Sequence, residues 1–490
     1  MNHGLLWQDL TCAEVDLHAA LGRYFLTATS SSVDSRLPAE PGEHRKVSKL
    51  QGLAAFSPDA LASIGYADQE IYLGLVVAGS VGLSLAFPIA LTITILLTIL
   101  ALSYYQICQS FPNGGGSYTV ARANLGTNFG LVAAAALIVD YLLNVSVSLT
   151  TGVDAIASAF PVLWPYEVEL SLLLLAGITL LNLRGMRETG IVMAIPVYLF
   201  LLAYLPMIGF GAVKLSIQGP VSIATTAPPA IQSLTTLIVL RTFSTGCTAV
   251  TGIEAISNGV PSFRSPSTKN AGQTMIMMSL LMGTLFVGSV GLTQMLGVVA
   301  GPQETILSAL ARHLLGTGPL YLIIQGATLI MLTVGANTSF VGLPRLLSVL
   351  AGDGFLPKPM TKLNSRGVFA NGILLLALAA GVLIVAFSGS SHALIPLFAV
   401  GVFLAYTLSQ TGMVRYFRRE RGRRWTVKAL LNAVGAVMTG VTFVIVGYTK
   451  FVGGAWIALL LIPMLVLVFV QVKGRGRAAE AHHAIPNVAQ

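Results

Sequence analysis

Apolar stretches about 20 residues long recur along almost the whole chain, a pattern that few folds accept. Twelve can be marked, near 53–79, 83–109, 128–159, 168–183, 190–213, 234–259, 272–298, 318–350, 369–388, 392–414, 428–448 and 452–471. An α-helix needs about 20 apolar residues to cross the hydrocarbon core of a bilayer. Backbone in lipid must also satisfy its own polar groups, which leaves only helices and closed barrels. The stretches are too long for barrel strands, so the predicted fold is an all-α membrane protein of twelve transmembrane helices. Only 10% of the residues are charged and 54% are hydrophobic, where a soluble enzyme carries about a quarter charged. A water-soluble globular enzyme is excluded.

Residues 1–50 read as a flexible cytoplasmic N-terminal tail, with a short surface helix expected over 13–27; a membrane domain follows over 51–472, then a short polar tail over 473–490. The start, MNHGLLWQDLTCAEVDL, carries acids where a signal peptide needs a basic region, so no cleaved leader is expected. Cys12, Cys108 and Cys247 have neither disulfide-framework nor metal-site spacing, and His482 and His483 read as solvated. No cofactor is called for. The net charge of +9 resolves into topology. With the N-terminus inside, the outer loops hold only Lys214, Arg312 and Lys450, while the other loop cations lie in the cytoplasm. By the positive-inside rule both termini are cytoplasmic, in the plasma membrane. The run RYFRRERGRRW at 415–425 invites a nucleic-acid or anionic-lipid reading; a loop anchoring span ten is the simpler one, and no nucleic-acid partner is expected.

Four carboxylates, Asp59, Asp140, Asp154 and Glu254, interrupt these stretches. An acid at a helix centre costs roughly 2.5 to 3.5 kcal/mol on insertion scales, so several persist only where a cation, a proton or a polar cavity offsets the cost. Spans one and six are irregular as well. FSPDALASIGYADQE at 56–70 and FSTGCTAVTGIEAISNGVP at 243–261 are dense in Gly, Ser, Thr, Pro and acid. Interrupted helices at corresponding positions of two halves point to a binding site between inverted repeats. The expected plan is a 5+5 inverted repeat, residues about 51–213 and 232–418, with broken helices 1 and 6 and two accessory helices over about 428–471.

Polar residues share faces. Asp59 and Tyr66 are two helical turns apart, Asp140, Asn144 and Ser148 recur at every fourth residue, and Thr251 and Glu254 are three apart. Together they offer carboxylate, hydroxyl, amide and phenol oxygens, hard ligands that suit alkali or alkaline-earth cations. Interhelical hydrogen bonding explains Tyr66, Asn144 or Ser148 equally well when each is taken alone. Asp154 lies near the outer end of span three, where a vestibule or capping role competes with ligation. Arg241, in the outer half of span six, is read as gating the access path, pairing with Asp154 or snorkelling to the interface.

FSPDALASIGYADQE, FPNGGGSYTVARANLG, LIVDYLLNVSVS and TGIEAISNGVPSF resemble the KimA-type potassium uptake permeases, a branch of the amino acid-polyamine-organocation superfamily with the LeuT-like fold. The resemblance runs from about Arg45 to Lys473. It implies a secondary active importer, not an enzyme, that couples K+ to H+, with Asp59, Tyr66, Asp140, Tyr141, Ser148, Thr251 and Glu254 at cation-site and coupling positions. Asn144 stands where related proteins carry Thr, and its amide oxygen can still ligate. On this basis Asp140, Tyr141, Ser148 and Thr251 hold potassium, and Asp59 or Glu254 carries the proton. The resemblance also implies a homodimer, assembled in the family with help from a C-terminal domain; this chain runs about 18 residues past its last expected span.

FPNGGGSY at 111–118 lacks the lysine of a phosphate-binding loop and reads as a tight connection between spans two and three. The competing functions are an amino acid or polyamine permease on the same scaffold, and a membrane sensor without turnover. Amino acid members resemble one another in a Gly-Ser-Gly break in span one, where this chain has Ser63-Ile64-Gly65-Tyr66 preceded by Asp59. A membrane hydrolase would need a nucleophile supported by histidine, and His313 and His392 are expected in loops.

Overall fold

The computed structural model describes residues 46–185 and 194–483; the expected surface helix at 13–27 and most of the N-terminal tail lie outside the described residues. Among them, ten helices are long and apolar enough to cross a membrane: Gly79–Ser110, Thr127–Ala159, Pro161–Leu183, Ala194–Gln218, Thr236–Asn258, Ser267–Met295, Pro319–Gly352, Ser391–Glu420, Trp425–Thr449 and Phe451–Arg475. Two further expected spans take other forms. The first is divided into Lys49–Phe56, Pro58–Ala62 and Ile64–Val76, and the ninth, Ala370–Ala386, is 17 residues long. Among the described residues there is no strand, only an isolated bridge between Val47 and Phe263.

Burial separates the centre of the bundle from its rim. In Thr127–Ala159, 78% of the most apolar window is buried, against 22% in Phe451–Arg475. The first is built on Ala, Gly, Ser and Thr, whose small side chains let neighbouring backbones approach; the second, rich in Leu and Val, meets lipid. Pro319–Gly352 and Ser391–Glu420 both pack on Thr127–Ala159, while Ser267–Met295 packs on Ala86–Ser110. The central helix of 33 residues is about 50 Å long at 1.5 Å per residue, so it extends beyond the hydrocarbon core. Hydroxyls inside apolar helices are satisfied locally, as where Thr94 and Thr98 donate to the carbonyls four residues back.

Three local expectations change. The connection after FPNGGG is itself a helix, Ser117–Leu125, which joins the central helix at Gly126. The final helix, Trp456–His483, stays wound through residues expected to be a polar tail. His313 and His392 lie in helices, Ile306–Leu315 and Ser391–Glu420, rather than in loops.

Candidate ion site

The two irregular segments meet in the interior. In the first, Pro58 starts a short helix with Asp59 in its opening turn, and the chain is notched at Ser57 and Ser63. In the sixth, helix Thr236–Gly246 tightens into a 3-10 turn over Cys247–Val250, and the backbone then leaves the helix at Thr251 (ψ 165°) and Gly252 (φ +75°) before Glu254–Asn258. Gly252 is required twice. Its φ disfavours any side chain, and a Cβ there would stand 2.6 Å from the Ala60 amide nitrogen and 2.9 Å from the Asp59 carboxyl carbon.

Hydroxyl bonds lock this crossing. Tyr66 Oη and Thr251 Oγ1 are 2.9 Å apart, and Ser63 Oγ donates to the Ala249 carbonyl at 3.0 Å. Tyr406 Oη donates to the Val250 carbonyl at 3.1 Å. The central helix adds Asp140, Tyr141, Asn144 and Ser148. Tyr141 Oη donates to Glu254 Oε1 at 3.4 Å, Asn144 Nδ2 to Ser339 Oγ at 2.9 Å, and Ser148 Oγ to Asn144 Oδ1 at 3.1 Å. Asp59, Tyr66, Asn144, Ser148, Thr251 and Glu254 are all buried. Asp59, Asp140 and Glu254 lie within electrostatic reach of one another, and among the described residues no ion pair involves them. Three carboxylates in a dry site repel unless a proton or cation neutralises them. Asp59 Oδ1 and Asp140 Oδ1 are buried without a hydrogen-bond partner, while both oxygens of Glu254 accept. Among the described residues no three His, Cys, Asp or Glu side chains form a metal cluster by themselves.

Asp154 and Arg241 stand apart from this group. Asp154 Oδ2 accepts from Ser391 Oγ at 2.6 Å, the first residue of helix Ser391–Glu420. Arg241 is exposed, and its charge acts on His392 and Lys450 rather than on Asp154. His392 Nδ1 lies 2.5 Å from Glu70 Oε1, so helices Ile64–Val76, Thr236–Gly246 and Ser391–Glu420 share a charged cluster with Lys450. Lys450, buried between two helices, is drawn down to about 8 by burial and by Arg241, against the pull of Glu70.

Several residues in and around the site carry no sequence signal of their own. Ser117 Oγ donates to Glu254 Oε2 at 2.7 Å and sits 2.9 Å from Tyr104 Oη. The glycine-rich loop closes on the sixth segment: the Gly115 amide donates to the Ser257 carbonyl at 3.0 Å, and Ser257 Oγ donates back to the Gly115 carbonyl. A Cβ on Gly116 would stand 2.2 Å from Asn258 Oδ1. FPNGGGSY is thus a wall of the site as well as a connection. Asp68 and Glu70 belong to the first segment's acid-rich stretch; both are buried, and neither oxygen of Asp68 has a hydrogen-bond partner.

Two interrupted segments crossing at buried carboxylates within a bundle of apolar helices define a helical membrane protein with a polar interior, and the family profile described as amino acid permease matches residues 59–470. The chain belongs to that family and is a multi-pass membrane transport protein. It is similar to the potassium transporter KimA of Bacillus subtilis strain 168, with 40% identity over 440 residues, 89% of this chain and 72% of the relative. Among solved structures, the Eremococcus coleocola manganese transporter, in complex with an aromatic bis-isothiourea substituted compound, overlaps at a TM-score of 0.42 and 15% identity, covering 90% of this chain and 97% of that one.

Proposed function

We propose that the chain is a secondary active transporter that imports K+ with H+ across the plasma membrane. The observation that carries this reading is the gathering of Asp59, Asp140 and Glu254 from three segments, with no cationic side chain paired to them among the described residues and two oxygens without donors there. In this reading Asp140, Tyr141, Ser148 and Thr251 hold the dehydrated ion, with Tyr66 and Asn144 beside it, and Asp59 or Glu254 carries the proton. The similarity to a relative named as a potassium transporter supports the cargo. The proposed topology has twelve spans, counting the divided first segment and Ala370–Ala386, as a 5+5 inverted repeat plus two accessory helices with both termini cytoplasmic. The driving force suffices: one positive charge moving inward gains about 2.3 kcal/mol per 100 mV, which supports roughly a 50-fold gradient at about 1.36 kcal/mol per decade.

An amino acid or polyamine permease is the second reading, favoured by the family's description. Against an amino acid stands the charge of the site, because acids repel a carboxylate. The deciding experiment compares uptake of potassium, rubidium, sodium and an amino acid mixture by purified protein in liposomes under an imposed proton gradient. Rubidium and potassium should enter and compete. If Asp140→Asn and Glu254→Gln both take up rubidium normally from about pH 5 to pH 8, the assignment fails.

A further inference from the structure

The foot of the central helix opens on a basic cavity distant in chemistry from the acidic site. Arg122, Asn124 and Gly126 form one wall, and Arg415 and Arg419, one turn apart on helix Ser391–Glu420, form the other, around a volume of 270 Å³. The arginines are only partly neutralised. Arg122 uses Nη1 on Asp353 Oδ2 and Tyr118 Oη, leaving its other donors for a ligand. Arg419 Nη2 is 3.7 Å from Glu420 Oε1, with side chains 69% and 52% exposed, a solvent-screened contact that a phosphate would displace. Arg415 takes part in none of the ion pairs among the described residues. The helix beginning at Thr127 has no side-chain cap, so its first amides add donors at the same mouth.

Depth and surroundings select the source of the phosphate. Both helices are candidate spans, and the cavity lies at their ends rather than along their apolar length. Phe129, in the first turn of the central helix and three residues past Gly126 of the cavity wall, is 52% exposed and offers an apolar surface for an acyl chain. We propose that Arg122, Arg415 and Arg419 form a binding site for the phosphate of an anionic lipid headgroup. The site is independent of the transported ion, so its test needs no transport.

Full-length protein would be exchanged from vesicles of phosphatidylcholine, with and without phosphatidylglycerol, and the retained lipid counted by native mass spectrometry alongside the melting temperature. The wild type should retain phosphatidylglycerol selectively and melt higher with it. Arg415→Gln with Arg419→Gln should weaken retention roughly 30-fold, about 2 kcal/mol for two arginines at about 1.4 kcal/mol per decade, yet melt with the wild type in phosphatidylcholine. Equal retention by the double variant overturns the site. So does wild type that keeps phosphatidylcholine as well as phosphatidylglycerol, a comparison that needs no variant. Inorganic phosphate raising the melting temperature in phosphatidylcholine as much as the lipid does overturns the lipid assignment.

Discussion

The first and sixth segments look alike in composition but break in different ways. Across the first, helical hydrogen bonding continues: Leu61 N bonds Ser57 O at 2.9 Å, Ser63 N bonds Asp59 O at 3.1 Å, and Ala67 N bonds Ser63 O at 3.0 Å. The first notch falls where Pro58 brings no amide hydrogen to the ladder, and at both notches a serine hydroxyl folds back, Ser57 onto the Leu53 carbonyl and Ser63 onto that of Ala60, a competition that bends helices without unwinding them. The sixth segment does unwind, at Thr251 and Gly252. Its freed carbonyls would be costly in a membrane interior, yet Ala249 O is met by Ser63 and Val250 O by Tyr406. Thus the first segment helps to satisfy the break in the sixth, and the buried oxygens without a hydrogen-bond partner belong to side chains such as Asp59 and Asp140.

The sharpest test of that difference swaps one glycine in each segment. Gly252→Ala places a Cβ at positive φ against the Ala60 backbone; strain of about 1–3 kcal/mol plus the clash should abolish rubidium uptake and lower the melting temperature by many degrees. Gly65→Ala, whose Cβ meets the end of the Leu332 side chain, Cδ1 at 3.3 Å and Cδ2 at 3.6 Å, needs only a small shift of that leucine and should leave melting nearly unchanged, since helical alanine is favoured by roughly 0.5–1 kcal/mol. Equal damage from both would erase the distinction.

Next in size, Tyr406→Phe strands the Val250 carbonyl and should cost about 1–3 kcal/mol, read as a lower melting temperature; an unshifted melt would mean that the break needs no protein donor. Tyr66→Phe removes the bond to Thr251 while leaving the ring in place. It should raise the KM for rubidium about tenfold, in line with a net hydrogen bond of 0.5–1.5 kcal/mol. An unchanged KM would separate the two segments energetically.

The smallest effect is expected at Lys450, which feels Glu70 of the first segment and Arg241 of the sixth. Its folded value of about 8 lies below the ordinary 10.5, so between these values the unfolded chain binds more protons and stability rises with pH. Melting temperature should therefore climb from about pH 8 toward 10.5, and Lys450→Met should flatten the climb. A wild-type curve that falls over this window contradicts the buried, charge-averse lysine.

Much of the scaffold could be read from hydropathy alone, because a segment in lipid has no alternative to the helix. The irregular segments were visible too, since Gly, Ser and Pro do not collect at that depth without cause. The character of each break was not: Ser57 and Ser63 notch a helix that stays wound, whereas Thr251 and Gly252 unwind one, and Gly252 is explained by what stands opposite it. The Asn144 and Ser148 spacing put two polar side chains on one helical face, where they bond each other. Spacing gave no sign that Ser117 reaches Glu254 across 137 positions, or that Asp154 is taken by Ser391.

Sequence by itself determined that this chain lives in a membrane, that its helices are continuous except at a few polar segments, and that acids lie within them, all consequences of local composition meeting an apolar solvent. Only the tertiary structure decided which oxygens face one another and which are already spent. Hydrogen-bond partners in a bundle come from helices far apart in the chain, and a hydroxyl satisfied by its own helix has the same sequence signature as one left open for an ion.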